Sequence, residues 1–509
     1  MEFNSNNLRF ILGVKLKQFR QERGLSLKEL AEKTNLSISY LSEIEKGKKY
    51  PKPEKIFQLA QALEISFDDL VSSRLHRKLD PLSTILSSPV IQEFPFRLYG
   101  ISPQHLLTLL TGDPEKAGAL VRTFLEIGQS YDMRVEHLLF AALRSYQQMH
   151  HNYFPEIEEA VLTFRNEHHL SPAPPVLPEP LSDILMRRFG YLIDEEHLTA
   201  YPELHQLRWI FIGKSPPRLL INPNLTPGQK AFILAREIGY RVLNLTDRAK
   251  TSSLMRVHSF EQLLNHFKAS YFAGAMLMNR EVLCGAVKKL FREKRWRAKK
   301  FLSLIQQFGV TPEMFAYRLG ELLPQFFGIS DFLFFRFHSR RESNIFTLTS
   351  LFNMSKLFLP SGMVAREHHC RRWLPVQLLR QLEKKQRTGH DGSTIIAAQR
   401  SRFLELEVDL FTITLARASK VQLGMNVSGS VSFIINEEFR NTVGFWNDPD
   451  VPIVEVNESC ERCGLTELQC PERAASPEIF QEEQTHRQRE EALQQLINDI
   501  NGKSESGVL

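Results

Sequence analysis

Cysteine is scarce in this sequence, with five among 509 residues, an odd number. So few thiols exclude a disulfide framework and favour a reducing, intracellular compartment. Long apolar runs are also absent, since the apolar stretch at residues 331–337 is far short of the ~20 residues that a membrane span needs. The N-terminus shows no apolar core followed by a cleavage site. We therefore expect a cytoplasmic protein with no membrane contact.

Charge of one sign is also missing. Lys and Arg number 64 against 58 for Asp and Glu, so the formal net charge is only +6. This mild excess permits a nucleic-acid partner without indicating one. The 25 Gly and 26 Pro have no period, which excludes collagen-like chains, and 42% hydrophobic residues indicate a globular protein. The length predicts roughly three domains.

Five short helices are predicted near the N-terminus. Apolar spacing places them at residues 8–23, 27–34, 38–46, 54–63 and 67–72. Ser26 with Glu29 forms a capping-box pattern, and Ser37 begins the third helix after a three-residue turn. Two short helices joined by so tight a turn predict a helix-turn-helix domain over residues 1–75.

The segment LKQFRQERGLSLKELAEKTNLSISYLSEIEKGKKYPKPEKIFQLAQALEI resembles the lambda-repressor/Cro-type (XRE) DNA-binding domain. The resemblance implies that the third helix enters the major groove of double-stranded DNA and that Arg20 and Glu45 form an internal ion pair. Ile38, Leu41 and Ile44 are predicted core residues. The candidate DNA-binding residues, for bases or phosphates, are Lys28, Ser37, Ser39, Tyr40, Ser42, Glu43, Lys46, Lys48 and Lys49.

Residues 76–180 are predicted to form a helical connector that ends in a linker. Its last ten residues, SPAPPVLPEP, contain five Pro, so they are expected to be extended rather than helical. A domain over residues 181–325 follows, with a helix, a hairpin from residues 205–213 and 218–222, and further helices from residue 226 on. The pieces RLLINPNLTPGQKAFILAREIGY, ASYFAGAMLM and FGVTPEMFAYRL in this domain resemble the ImmA/IrrE metallopeptidase-like family.

The sequence departs from that family where the chemistry resides. Family peptidases carry HExxH, in which two His on one helix face bind zinc and the Glu is the general base. Here the same place holds Arg236, Glu237 and Tyr240 in the segment REIGY, and the chain contains no HExxH. His266 and Lys268 occupy the region of the third ligand. Because Arg has no lone pair to donate, we expect a pseudo-peptidase domain and no enzyme activity.

Two interpretations of the altered motif remain open. In the first interpretation, Arg236 forms an effector site with Tyr240 and Glu237, and its guanidinium binds a carboxylate or phosphate. Alternatively, Arg236 and Glu237 make structural ion pairs only.

Residues 326–475 are predicted to form a mixed α+β domain, and residues 476–509 a charged helical tail. A helix is expected at residues 364–385. The expected strands are residues 331–338, 344–351, 394–399, 403–416, 431–435 and 453–456.

Four of the five cysteines fall in this domain. Cys460, Cys463 and Cys470 form a CxxC knuckle with a third thiol, and Cys370 is a candidate fourth ligand. Four thiolates suit tetrahedral zinc or an iron–sulfur cluster. Free thiols or a redox pair are the alternatives. Cys284, on an apolar helix, is predicted to be a core residue.

The segments AALRSYQQMHHNYFPEIE, HHCRRW and CERCGLTELQCPERAASP, together with the two domains described, resemble the bacterial short-chain fatty acyl regulator family. The resemblance implies a multidomain, mainly α protein with α+β parts that regulates acyl or carboxylate metabolism genes. It also implies an operator bound as a homodimer and an acyl-CoA or short-chain carboxylate effector. The alternatives are a partner-binding protein of a phage or toxin–antitoxin system, or a metallopeptidase that cleaves a repressor.

Overall fold

The computed structural model describes residues 5–45, 49–71, 135–252, 259–355, 367–389, 394–404, 408–419, 422 and 424–505. They fall into two compact units, the first containing residues 5–71 and the second containing residues 147–252 and 261–505. In these ranges no helix combines the length and the apolar character of a membrane span.

The first unit contains the five predicted helices. They are α1 (Ser5–Glu22), α2 (Leu27–Thr34), α3 (Ile38–Glu45), α4 (Pro53–Ala62) and α5 (Phe67–Val71). The capping box predicted for α2 is present, because Ser26 Oγ accepts the Glu29 amide and the Glu29 carboxylate accepts the Ser26 amide. One apolar core joins the helices and consists of Leu12, Leu16, Phe19, Leu30, Ala31, Leu41, Ile44, Ile56, Leu59, Ala60, Leu63 and Leu70.

The prediction that Ile38 is a core residue of this unit is wrong. Leu41 and Ile44 are fully buried, but Ile38 is 48% exposed. Ile38 is three residues from Leu41 and shares its stripe, as the periodicity requires. It is the first residue of α3, however, where its side chain extends past the core.

The second unit begins with helices and a small sheet. The next helices are α6 (Val135–Met149), which begins before this unit, α7 (Pro155–Glu167), α8 (Pro178–Phe189), α9 (Pro227–Val242), α10 (Phe260–Leu277), α11 (Arg280–Phe291), α12 (Ala298–Phe308) and α13 (Pro312–Phe327). The small sheet has β1 (Leu192–Asp194), β2 (Trp209–Ile212) and β3 (Arg218–Ile221) in the order β1-β3-β2. The hairpin of β2 and β3 is as predicted, and Thr226 caps α9 with Gln229.

Two sequence predictions need correction here. The Pro-rich linker was expected to be extended to residue 180, but α8 begins at Pro178. Proline is tolerated in a first helical turn because its missing N–H has no intrahelical partner there. The parallel strand β1 was not predicted, because three residues carry too short a pattern. Of the predicted connector, residues 76–134 lie outside the described part of the chain.

A six-stranded sheet dominates the C-terminal part. Its strands are β4 (Phe332–Arg340), β5 (Thr347–Asn353), β6 (Ile395–Phe403), β7 (Asp409–Ala418), β8 (Met425–Ile434) and β9 (Ile453–Val456), in the order β5-β4-β8-β7-β6-β9. All neighbours are antiparallel except β6 and β9. Helix α14 (Leu374–Arg387) packs Leu374, Leu378 and Leu382 against Ala416. The predicted multidomain, mainly α fold with α+β parts is confirmed.

Boundaries in this region shift by several residues. Phe403 was expected to begin a strand, but it ends β6, and β7 begins at Asp409. The helix is predicted to begin at residue 364, whereas α14 begins at Leu374. Pro375 lies in its first turn, where proline is favoured. Two further helices follow, α15 (Glu437–Thr442) and α16 (Glu478–Glu505), and α16 confirms the predicted helical tail.

Candidate nucleic-acid interface and candidate effector site

The position of α3 is fixed by an ion pair to α1. Arg20 Nε and Nη2 donate to the two carboxylate oxygens of Glu45 at 2.6 and 3.0 Å. Arg20 Nη1 also donates to the Leu25 carbonyl oxygen at 2.7 Å. Both side chains are largely buried, so this two-pronged contact sets the rotation of α3 about its axis.

The opposite face of α3 is polar. Ser39 and, on α2, Lys28 are exposed, while Ser42 and Glu43 are half-buried. Ser37 Oγ accepts the Tyr40 amide at 3.2 Å and thereby caps α3, as predicted. Ser39, Ser42 and Glu43, which are proposed for base contact, therefore lie on one helix whose start is fixed by the Ser37 cap. Lys46 and Lys48 lie outside the described residues.

Tyr40 and Glu43 are held by lysines that follow α3. Lys49 Nζ lies 2.8 Å from a Glu43 carboxylate oxygen, which raises the pKa of Lys49. Lys55 Nζ lies 4.4 Å from the centre of the Tyr40 ring, a cation–π distance. This contact of Lys55 is not predictable from the sequence, because nothing in the spacing of α4 links Lys55 to Tyr40. Ile38, predicted as a core residue, is exposed, and its side chain is suited to a thymine methyl group.

The second candidate site lies on the buried face of α9. Arg236, Glu237 and Tyr240 are all buried, and Glu237 is completely so. This stretch of α9 therefore contributes one guanidinium, one carboxylate and one phenol to the interior.

Glu237 is paired with a residue that the sequence analysis did not single out. Arg248 Nη2 donates to Glu237 Oε1 at 2.7 Å, whereas Arg236 Nη2 stands 4.0 Å from the same oxygen. The Arg248 guanidinium also lies against two rings, 3.6 Å from the centre of Phe211 and 4.1 Å from that of Tyr240. The carboxylate charge is thus neutralised by Arg248.

Arg236 is consequently a buried cation with little compensation. Its guanidinium stacks 3.9 Å from the centre of the Trp209 ring, and its Nε and Nη2 have no hydrogen-bond partner among the described residues. Burial lowers the pKa of Arg236. Burial, assisted by Arg236 and Arg248, also lowers the pKa of His266 to about 3, so this imidazole is neutral.

The predicted metal residues meet in the C-terminal part. The Cys370 amide donates to the Glu458 carbonyl oxygen, and the Cys460 amide donates to that of His368. Cys463 and Cys470 share one apolar cluster. Burial raises the pKa of Cys370 to about 12, so a metal would have to displace its proton.

The arrangement of these thiols leaves the metal centre untested. Across the described ranges, no group of three or more His, Cys, Asp or Glu side chains is arranged to hold a metal ion. The zinc or iron–sulfur centre therefore stays a prediction. Cys284 is buried in α11, as expected.

Comparison with known families supports the helix-turn-helix assignment and the ImmA/IrrE-like assignment. The helix-turn-helix family matches residues 16–70, and the IrrE N-terminal-like domain family matches residues 187–320. The chain thus combines an XRE-type helix-turn-helix domain with an ImmA/IrrE-like domain.

Three similar curated proteins are named as HTH-type transcriptional regulators. The HTH-type transcriptional regulator DdrOP3 of Deinococcus deserti is 40% identical over 57 residues, which are 11% of this chain and 44% of that protein. SutR of Escherichia coli is 38% identical over 13% of this chain and 37% of its own length. An uncharacterized regulator of Sinorhizobium fredii, y4dJ, is 33% identical over 13% of this chain and 86% of its length. The chain belongs to the HTH-type transcriptional regulators, although it spans less than half of the first two relatives.

Two solved structures are also similar to parts of this chain. The clp gene regulator ClgR from Corynebacterium glutamicum is 41% identical over 12% of this chain and 67% of its own, with a TM-score of 0.12. A Mycobacterium tuberculosis transcriptional regulator aligns with 66% of this chain and 93% of its own at 17% identity, with a TM-score of 0.44.

Proposed function

We propose that this protein is a sequence-specific DNA-binding transcriptional regulator that acts in the cytoplasm. The observation that carries the proposal is the two-pronged Arg20–Glu45 contact, which presents the polar face of α3 outward. Ser39, Ser42 and Glu43 on that face are suited to base edges, since Glu accepts from the cytosine amino group and Ser is adaptable. Lys49, which pairs with Glu43, and the exposed Lys28 of α2 are suited to phosphates.

The operator is expected to be near-palindromic and bound by a homodimer. One α3 of eight residues reads only a few base pairs, so a second copy related by two-fold symmetry doubles the recognised sequence. Lys46 and Lys48, which directly follow α3 in the sequence, are proposed as further phosphate contacts.

The ImmA/IrrE-like domain is proposed to sense an effector rather than to cleave a peptide. Arg236 cannot ligate zinc, and the buried Glu237 is already paired with Arg248. The proposed effectors are acyl-CoA or short-chain carboxylates, which would shift the population of binding-competent dimers. This effector class rests on the resemblance of the C-terminal segments to short-chain fatty acyl regulators. A partner-binding role in a phage or toxin–antitoxin system is the second candidate.

The test is selection of host-genome fragments by the full chain at a fixed salt concentration. We expect a few strong palindromic sites beside acyl or carboxylate metabolism genes. Glu43→Gln is compared with Glu54→Gln, which removes an exposed charge from α4 of the same unit. Only Glu43→Gln is expected to change the preferred bases.

Three results would contradict parts of this proposal. Sites found only beside phage genes or the protein's own promoter favour the second candidate. An identical preference in both variants removes Glu43 from the interface. Absence of any enriched site, with or without added acetate or propionate, contradicts sequence-specific binding.

A further inference from the structure

The buried cluster around α9 carries more positive than negative charge. Arg236 and Arg248 face the single carboxylate of Glu237, and the neutral imidazole of His266 adds no negative charge. A buried cation without a counter-charge is strongly disfavoured, because the interior screens and solvates it poorly. Within this cluster the guanidinium groups of Arg236 and Arg248 therefore outnumber the one carboxylate.

A compensating negative charge has a defined place. Nε and Nη2 of Arg236 form the same edge of the guanidinium, whose two N–H bonds point in parallel. Both atoms are buried and lack a hydrogen-bond partner among the described residues. Trp209 covers the face of the guanidinium, so the edge formed by Nε and Nη2 is the part left for a ligand's oxygens.

Elsewhere in this chain the same edge binds carboxylates. Arg20 uses Nε and Nη2 to hold Glu45, and Arg462 uses Nε and Nη2 to hold Glu367 at 2.8 and 3.0 Å. The parallel N–H pair matches the spacing of two carboxylate oxygens. On Arg236 no carboxylate of the described residues accepts a hydrogen bond from this edge, and the Glu237 oxygen stays 4.0 Å from Nη2.

We propose that Arg236 binds the carboxylate group of a small ligand through Nε and Nη2, with Trp209 stacked on its guanidinium. Arg248 keeps Glu237 neutralised, so Glu237 does not compete for Arg236. The proposal deepens the effector role given above by naming the ligand's charged group, and it rests on that role only for its effect on DNA binding.

The primary experiment measures the thermal unfolding of the full chain in sodium acetate, propionate, phosphate and chloride at equal ionic strength and pH 7.5. We expect acetate and propionate to raise the Tm relative to chloride, because a ligand that binds only the folded state stabilises it. Arg236→Lys keeps the charge but removes the two-pronged edge, and the carboxylate shift is expected to disappear.

Arg462→Gln is the matched control. It removes a guanidinium whose Nε and Nη2 are already filled by Glu367. Its Tm is expected to fall equally in all four salts, with the carboxylate shift retained. Titration calorimetry with propionate gives a direct second readout, with affinity in Arg236→Lys at least about tenfold weaker than in the wild type.

A third variant separates a ligand site from a structural ion pair. Arg236→Met removes the uncompensated charge, so in chloride it is expected to raise the Tm. If Arg236 served only to stabilise the fold, the same substitution would lower the Tm in every salt.

The proposal is overturned by any of three results. These are no carboxylate shift in the wild type, an equal shift in Arg236→Lys, or a shift with phosphate or chloride as large as with acetate. None of these measurements uses DNA, so a failure leaves the operator selection above unaffected. Conversely, a carboxylate shift without any operator keeps the ligand site and contradicts the regulatory function.

Discussion

Arg20 and Glu45 join the first and third helices of the helix-turn-helix unit through two hydrogen bonds of 2.6 and 3.0 Å. Their side chains are only 11% and 7% exposed. A second ion pair in the same unit, Arg23 with Glu64, is 39% and 75% exposed. The two pairs have similar chemistry and different burial, so they allow a matched test.

Glu45→Gln is expected to destabilise the first unit by about 3 kcal/mol, because it leaves the Arg20 charge buried and unpaired. Glu64→Gln, which disrupts the exposed pair, is expected to cost less than about 1 kcal/mol. Hydrogen exchange of the α1 and α3 amides in the full chain measures both. Equal protection in the two variants would show that burial of the first pair has no energetic consequence.

Lys28→Gln is expected to weaken operator binding to a similar extent for all sequences and to lower the slope of log K against log salt by about one. The reason is that a phosphate contact releases counterions without distinguishing bases. Lys33→Gln, at the other end of α2, is the control and is expected to keep the wild-type slope. Fluorescence anisotropy over a salt series measures this, and a loss confined to one operator sequence would assign Lys28 to base contact.

Stability is expected to depend on pH through Glu321. Arg318 pairs with both Glu158 and Glu321, so one cation serves two buried carboxylates. Burial raises the pKa of Glu321 to about 8. Its stabilising contribution is complete below its ordinary pKa of about 4.5 and is lost as the pH rises through about 8, because the folded state must then bury a charge.

We therefore expect the Tm to fall between pH 5 and pH 8, and Glu321→Gln to remove most of that fall. Glu261→Gln, at an exposed position of α10, serves as the control and is expected to retain it. Calorimetry at several pH values measures the difference. A wild-type profile that is flat or rising over this range would contradict the assignment.

Two helical glycines, Gly228 of α9 and Gly285 of α11, are expected to respond in opposite directions to alanine. A Cβ at Gly228 would lie 1.8 Å from the Gly309 carbonyl oxygen, so Gly228→Ala must displace backbone and is expected to cost roughly 3 kcal/mol. A Cβ at Gly285 in α11 meets nothing within 4 Å. Gly285→Ala is expected to stabilise by up to about 1 kcal/mol, because Ala is the better helix former. Calorimetric Tm values of the two variants decide both predictions.

Local signals made the helices of the first unit predictable. The bounds of α2 follow from Ser26, Glu29 and the left-handed Asn35, all within the helix or next to it. Ile38 was misjudged because periodicity says which stripe a residue joins but not where the core ends. Strand β1 and the end of β6 were missed or displaced because their limits depend on partner strands that are distant in sequence.

The candidate effector site also has features that local sequence predicts and features that depend on residues distant in sequence. The sequence by itself determined that residues 236–240 read REIGY and not HExxH, because that comparison depends only on residue identity. Only the tertiary structure decided which cation neutralises Glu237. Consecutive residues of a helix point in different directions, so the adjacent Arg236 stays 4.0 Å away. Arg248 approaches from beyond the end of α9 to 2.7 Å. The free edge of Arg236 is a consequence of that packing.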